Sequence, residues 1–269
     1  MQLENTEDHY TVAGKLANER LTTGSQNIDY LLGGGLELGA ITQFYGGPGM
    51  GKTHLCHLMC VLRAPKFEIV YIDTEGTFRE EKIKSIAEAR GLGWKNALAN
   101  IQVKKPSWTG QQESDLDEVC SSIINSADSK VKLLIIDSMT FHYKGEYSDR
   151  SQLAQRASKF NIYMHKLHRL AVTKKIAVVI TNHATNEPDE EFRYSTPRPF
   201  GGNILSHASN YIINLAPACK APGSITARLT KSPTTAHYNY KPLQILIAHF
   251  GFHDARNWLA DEETTNELD

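Results

Sequence analysis

Residues 44–56 read FYGGPGMGKTHLC: two aromatic residues, a glycine-rich turn, a lysine and a threonine, then the start of an apolar segment. Gly46, Gly47, Pro48, Gly49, Met50, Gly51, Lys52 and Thr53 fill every position of the pattern G-x-x-x-x-G-K-[ST]. Glycines at these positions let successive backbone N–H groups turn inward around phosphate oxygens, and the N-terminus of a following helix adds partial positive charge. In this arrangement Lys52 reaches the β- and γ-phosphates of a nucleotide, Thr53 supplies a hydroxyl to Mg2+, and His54 lines the cradle. The flanks agree: ITQFYG (41–46) reads as a strand ending at the first glycine, and KTHLCHLMCVL (52–62) reads as the helix that follows.

Outward from this loop, short β-branched or apolar runs recur at 68–73, 131–137, 175–182, 210–215, 225–230 and 243–250. Helix-length segments lie between the early ones. REEKIKSIAEARG ends at a glycine cap, and residues 151–172 place Leu153, Ala157, Phe160, Met164, Leu167 and Ala171 on one 3.6-period face. Alternation of near-continuous apolar strands with helices predicts an α/β fold, a mostly parallel central sheet flanked by helices. Little helix separates the last three strands, which are therefore expected to be antiparallel. Residues 1–20 read as a polar arm, 21–258 as the core, and 259–269, ending DEETTNELD, as an acidic tail.

The 269 residues carry a net charge of −1 and are 41 % hydrophobic, enough for one sizeable core, and no overall basic field marks a nucleic-acid binder. Any such binding must come from a local patch. No apolar run reaches the length of a membrane span, and MQLENTEDHY lacks the basic and apolar regions of a signal peptide, so the expected location is the cytoplasm or nucleus. Four cysteines suit a reducing compartment; Cys56 and Cys60, with His54 and His57 beside them, read as a packed helix face rather than as metal ligands.

A phosphate cradle that hydrolyses needs two further acids. KLLIIDS places Asp137 at the end of a buried strand, where it would orient Mg2+. YIDTEGTF places Glu75 just beyond another strand, at the edge where open α/β sheets bind ligands, as the carboxylate that polarises water.

Five blocks, LTTGSQNIDYLLGGGLELGAITQFYGGPGMGKT, YIDTEGTFREEKI, LLIIDSMT, VVITN and RPFGGNILSHAS, resemble in order and spacing the RecA-fold strand-exchange recombinases of archaea and eukaryotes, of the RadA and RadB type. The resemblance runs from about residue 21 to 254. It implies a RecA-like ATPase core, a DNA-dependent ATPase using ATP and Mg2+, and self-association into a filament or ring on single-stranded DNA in recombination and repair. Glu75 takes the water-activating role. His183 stands where the family usually has Gln, a sensor of the γ-phosphate, and Lys82 where it commonly has an adenine-stacking Arg. His207, in LSHAS, matches a histidine near the neighbouring subunit's nucleotide and is grouped with the DNA-binding residues.

The resemblance also implies two DNA loops. Arg150 and Arg156 fall where the first loop binds phosphates, and Arg193 and Arg198 belong to the second. There, Glu187, Asp189, Glu190 and Glu191 oppose two arginines, a balance of −2 that works against phosphate contact. Phe192 and Tyr194 offer base-stacking faces.

Other departures are read against the same pattern. In LTKSP, Lys231 occupies the place of an Asp in the cap that closes with Pro233 over a neighbour's ATP. Its ammonium would replace a monovalent cation, so ATP turnover is expected to depend little on potassium. Tyr10 and Ala13 resemble the Phe-x-x-Ala plug that inserts into the next protomer. The family's N-terminal DNA-binding domain is expected to be absent. The acidic second loop and the Gly-Gly-Pro opening of the cradle favour an accessory paralogue acting on a larger recombinase; the complete catalytic set favours a working recombinase. A helicase or clock-type ring fits the Arg150 loop and FGGN block less well.

Overall fold

The computed structural model describes residues 19–185, 198–218, 223–234, 242–248 and 251–254. Tyr10, Ala13, Phe192, Arg193, Tyr194, the four acids of the second loop and the acidic tail lie outside the described residues.

In chain order the elements are β1 (Arg20–Leu21), α1 (Gln26–Leu31), β2 (Leu36–Glu37), β3 (Ile41–Gly46), α2 (Lys52–Arg63), β4 (Glu68–Asp73), α3 (Glu80–Ala89), α4 (Trp94–Ala99), β5 (Ile101–Lys104) and α5 (Thr109–Asn125). They continue with β6 (Val131–Asp137), α6 (Phe141–Glu146), α7 (Leu153–Lys174), β7 (Ala177–Thr185), β8 (Arg198–Pro199), α8 (Gly202–Ala208), β9 (Tyr211–Pro217), β10 (Ser224–Lys231), β11 (Leu243–Ala248) and β12 (Gly251–Asp254). The main sheet runs β12-β11-β10-β9-β3-β7-β6-β4-β5, with β8 paired to β7. The six strands from β9 to β5 are mutually parallel, and β10, β11 and β12 add antiparallel to β9 and to one another. This is the mixed sheet expected of a RecA-like core.

Strand periodicity divides the core. On β4, Ile69 and Tyr71 face one side while Val70 and Ile72 face the other; on β6, Leu133 and Ile135 oppose Leu134 and Ile136. The first side is covered by α1, α2, α3 and α4, the second by α5, α6, α7 and α8. A strand buried on both faces has no polar alternation to show, which explains the continuous apolar runs. Cys56, His57 and Cys60 are buried within α2, His57 against the rings of Tyr71 and Phe78. Burial pushes the His57 pKa down to about 4, so its ring is neutral at pH 7.

Two expectations shift. The long helix begins at Leu153 after a 3₁₀ turn over Arg150–Gln152, and Leu153 itself is 43 % exposed. Its buried face starts only at Phe160, and the residues of the first two turns are exposed or half-buried. The edge strand β5 and helix α5 were not anticipated, although Leu116, Val119, Cys120 and Ile123 on α5 carry helical spacing and are buried.

Close strand approach limits one glycine of the cradle. A Cβ on Gly46 would lie 2.2 Å from the Leu215 carbonyl oxygen of β9, a backbone atom that cannot swing aside. Gly46→Ala is therefore expected to force β3 and β9 apart and destabilise the fold by about 1–3 kcal/mol, a drop of roughly 3–10 °C in Tm. An unchanged thermal melt would contradict the tight pairing.

Candidate functional site

Four adjacent strands deliver the site. Gly46 of β3 lies in register with His183 of β7, and Asp73 of β4 with Asp137 of β6, so the C-terminal ends of all four meet at one edge. The loop after β3 turns through Gly49 and Gly51, both at φ 74°, a conformation that L side chains rarely adopt. Gly51 directly precedes α2, whose first N–H groups have no side-chain cap. A helix N-terminus without a side-chain cap suits an anion.

Lys52 folds back over the loop, its Nζ donating to the carbonyls of Gly46 at 2.9 Å and Gly47 at 2.8 Å. Burial lowers its pKa from the ordinary lysine value, opposed by the nearby charges of Asp137 and Glu75. Asp137, only 2 % exposed, accepts hydrogen bonds from the Tyr71 hydroxyl at 2.7 Å and from the Thr181 hydroxyl. Burial pushes its carboxyl above the usual range, and the hydroxyls of Thr181, Tyr71 and Thr53 pull the other way.

Glu75 is held from two sides. The Asp73 carboxylate accepts from the backbone N–H groups of Thr77 and Phe78, which closes the turn that carries Glu75. Thr74 bridges to the next strand end, its hydroxyl donating to the Ser138 carbonyl at 2.7 Å and accepting from the Ser138 N–H at 2.8 Å. His183 Nε2 then donates to Glu75 Oε1 at 2.9 Å, with Ser138 Oγ 3.3 Å from the same nitrogen. The His183 hydrogen bond holds the Glu75 carboxyl below its ordinary pKa, outweighing its partial burial.

One cleft of about 560 Å³ gathers Pro48, Gly49, Met50, Gly51, Lys52, Thr53, His54, Glu75, Lys82, Asp137 and His183. All but two of the expected cradle residues, Gly46 and Gly47, line it directly, and those two hold Lys52. The oxygen donors of Thr53 and Asp137 suit a hard divalent cation, and the inward-turned glycine loop suits a phosphate chain. Thr181, which the family resemblance puts beneath the expected γ-phosphate position, supports Asp137; Tyr71, Thr74 and Ser138 are further supports that no motif marks. Their only sequence trace is a polar group at or beside the end of a buried strand.

The remaining candidates lie elsewhere. Arg150 is exposed in the 3₁₀ turn, and Arg156 on α7 donates through Nη1 to the Tyr147 carbonyl at 3.0 Å. Arg198 pairs with Thr185 where β8 meets β7. Lys231 gives three hydrogen bonds within its own chain, to the carbonyls of Ser206, His207 and Ser209 at 2.9, 2.9 and 2.7 Å. It therefore ties off the C-terminal end of α8, next to His207, and Pro233 is exposed two residues beyond.

The family model described as Rad51 matches residues 16–250. The DNA repair and recombination protein RadA of Cenarchaeum symbiosum is 41 % identical over 200 residues, covering 72 % of this chain and 49 % of that protein. The protein of the same name from Metallosphaera sedula is 36 % identical over 245 residues, covering 88 % of this chain and 73 % of its own length. The chain thus spans about half the length of the first relative and about three quarters of the second.

Proposed function

The chain belongs to the Rad51 family, and from that premise we propose that it is an ATP-dependent DNA recombination and repair protein that binds single-stranded DNA and associates with copies of itself. The family implies ATP and Mg2+. The observation that carries the reading is the cleft in which Lys52, Thr53, Glu75, Asp137 and His183 converge from four strand ends.

In this reading the loop from Gly46 to Thr53 holds the phosphates, and Lys82 borders the same cleft. Thr53 and Asp137 would hold Mg2+, which neutralises charge on the β- and γ-phosphates when bound. Glu75, held ionised by His183 in the resting cleft, would accept a proton from the attacking water once that contact opens. His183 is placed to trade Glu75 for the γ-phosphate and so to report nucleotide state. Arg150, Arg156 and Arg198 supply phosphate contacts on the strand-binding side. Lys231 and His207, joined at the end of α8, would face the nucleotide of an adjoining subunit. Residues 1–20, including Tyr10 and Ala13, are proposed as an arm used in self-association, and 21–258 as the ATPase core. No helix among the described residues is long and apolar enough to cross a membrane.

A second reading, an accessory paralogue that acts on a larger recombinase, rests on the balance of −2 across residues 184–200. The two separate in one experiment: electron microscopy with ATP and single-stranded DNA, alongside DNA affinity across a salt series. A recombinase should form long helical assemblies and lose affinity with a log–log slope of about −0.7 per phosphate contacted. Absence of DNA binding at every salt concentration, with retention of a larger recombinase, would establish the accessory role.

A further inference from the structure

Phe200 lies between Arg156 of α7 and His183 of β7. Its backbone is tied to β7 twice: its N–H donates to the His183 carbonyl at 2.9 Å, and its own carbonyl accepts from Asn182 Nδ2 at 2.8 Å. Asn182 in turn accepts from the Thr140 hydroxyl at 2.9 Å, which fastens this point to the start of α6. The chain leaves Phe200 through Gly201 at φ 87°, where a Cβ would strike Leu205 at 2.7 Å, so this turn into α8 requires glycine.

The ring is flanked by two cations. The Arg156 guanidinium lies 4.6 Å from the ring centroid and the Lys144 ammonium 6.0 Å from it. Arg156 also holds the Tyr147 carbonyl, at the entrance to the turn that carries Arg150. One residue therefore connects Arg156, through its ring, to His183, through its backbone N–H, and the His183 ring holds Glu75. The guanidinium has two competing uses: it can lie on the Phe200 face, or it can turn to a phosphate.

We propose that Phe200 is a positioning residue whose clasp on Arg156 keeps the Glu75–His183 pair in its resting arrangement, and that capture of Arg156 by a single-strand phosphate releases it. The proposal deepens, and rests on, the ATPase and single-strand binding given above. When Arg156 leaves, Phe200 keeps, of its two cations, only the more distant Lys144 against its ring, and its hold on the His183 backbone loosens. Glu75 then comes off the imidazole and is available to water. Because the clasp competes with the strand, linkage requires that removing it tighten strand binding by the same factor by which the strand weakens the clasp.

The test compares wild type with Phe200→Leu and Phe200→Met, which lose the π face in two apolar shapes, and with Phe200→Tyr, which keeps it. ATP turnover without DNA and affinity for a fluorescent oligothymidine are measured on full-length protein, with thermal melts as a folding control. Both apolar variants are expected to turn over ATP faster without DNA, and to bind the oligonucleotide tighter, by about twofold to fivefold, the worth of one half-exposed cation–π contact. Phe200→Tyr should match wild type. A side chain that merely packs would give slower turnover and weaker binding in the apolar variants. That result, or variants indistinguishable from wild type, overturns the clasp while leaving the function in place. A wild-type protein that neither binds the strand nor hydrolyses ATP overturns the function itself and the clasp with it.

Discussion

Glu75→Gln is expected to lower ATP turnover by about 10²- to 10⁴-fold while nucleotide affinity stays within about threefold of wild type. The substitution keeps the shape and a hydrogen-bonding oxygen for His183, whose Nε2 donates to Glu75 Oε1 at 2.9 Å, but removes the basicity that accepts a proton from water. Residues that hold the phosphates are untouched, so the loss should fall on the chemical step rather than on binding. Assemblies formed with ATP should persist longer as a result. Single-turnover hydrolysis beside a direct binding titration distinguishes the outcomes; a variant with near-normal turnover would remove Glu75 from the mechanism. The sign of the pH response follows from the same contact. The carboxyl pKa is lowered in the fold below its ordinary 4.5, so the stability it contributes is complete above that value. It is lost as pH falls through the lowered folded value. Wild type should therefore be more acid-sensitive than Glu75→Gln only below about pH 4.5.

Lys52→Ala is expected to weaken ATP binding by at least about 100-fold, since in the proposed reading its ammonium, now on the Gly46 and Gly47 carbonyls, turns to the phosphates. The cost to the unliganded fold should be small. Two hydrogen bonds to the Gly46 and Gly47 carbonyls disappear, worth about 0.5–1.5 kcal/mol each, and the relief of a partly desolvated charge offsets them. Thermal shift reads both effects at once. ATP at about 100 times its Kd should raise the wild-type Tm by roughly 5–10 °C, the equivalent of about 2.7 kcal/mol. The variant should melt close to unliganded wild type with or without nucleotide. A full ATP shift in Lys52→Ala would mean that the backbone cradle alone binds the phosphates.

Gly46→Ala probes a different property of the same loop. Lys52 and Glu75 are proposed to act on the ligand, whereas Gly46 is constrained by the approach of β9 to β3. Comparing the three variants separates a cradle that fails to bind from one that fails to fold.

Much of the site was legible because its residues are local in sequence. The strand of 41–46, the loop to Thr53 and the helix beyond form one continuous signal, with boundaries that match β3 and α2. Many buried strands end in an acid, so Asp137 and Glu75 stood out only beside the cradle and, for Glu75, through the family resemblance; both line the same cleft. The Leu153 end of the long helix was misplaced because periodicity reports which residues share a face, and not where a covering layer stops. The edge strand β5 is only four residues long and ends in Lys104, too short a pattern to stand out. Lys231 shows what residue type alone leaves out: its ammonium donates to the carbonyls of Ser206, His207 and Ser209, contacts that only the return of the chain to α8 provides.

By itself, then, the sequence determined the strand–helix alternation, the mostly parallel sheet and the phosphate cradle, since each depends on residues a few positions apart and on the periods of backbone geometry. Only the tertiary structure decided the rest. Glu75 and His183 are 108 positions apart, Tyr71 and Asp137 are 66, and each pair meets because crossover helices order the strands as β3-β7-β6-β4. Strand order is set by how helices pack over the two faces of the sheet, a property of the whole folded chain. Hydrogen-bond partners, burial and the resulting proton affinities follow from that order, and no short stretch of residues contains it.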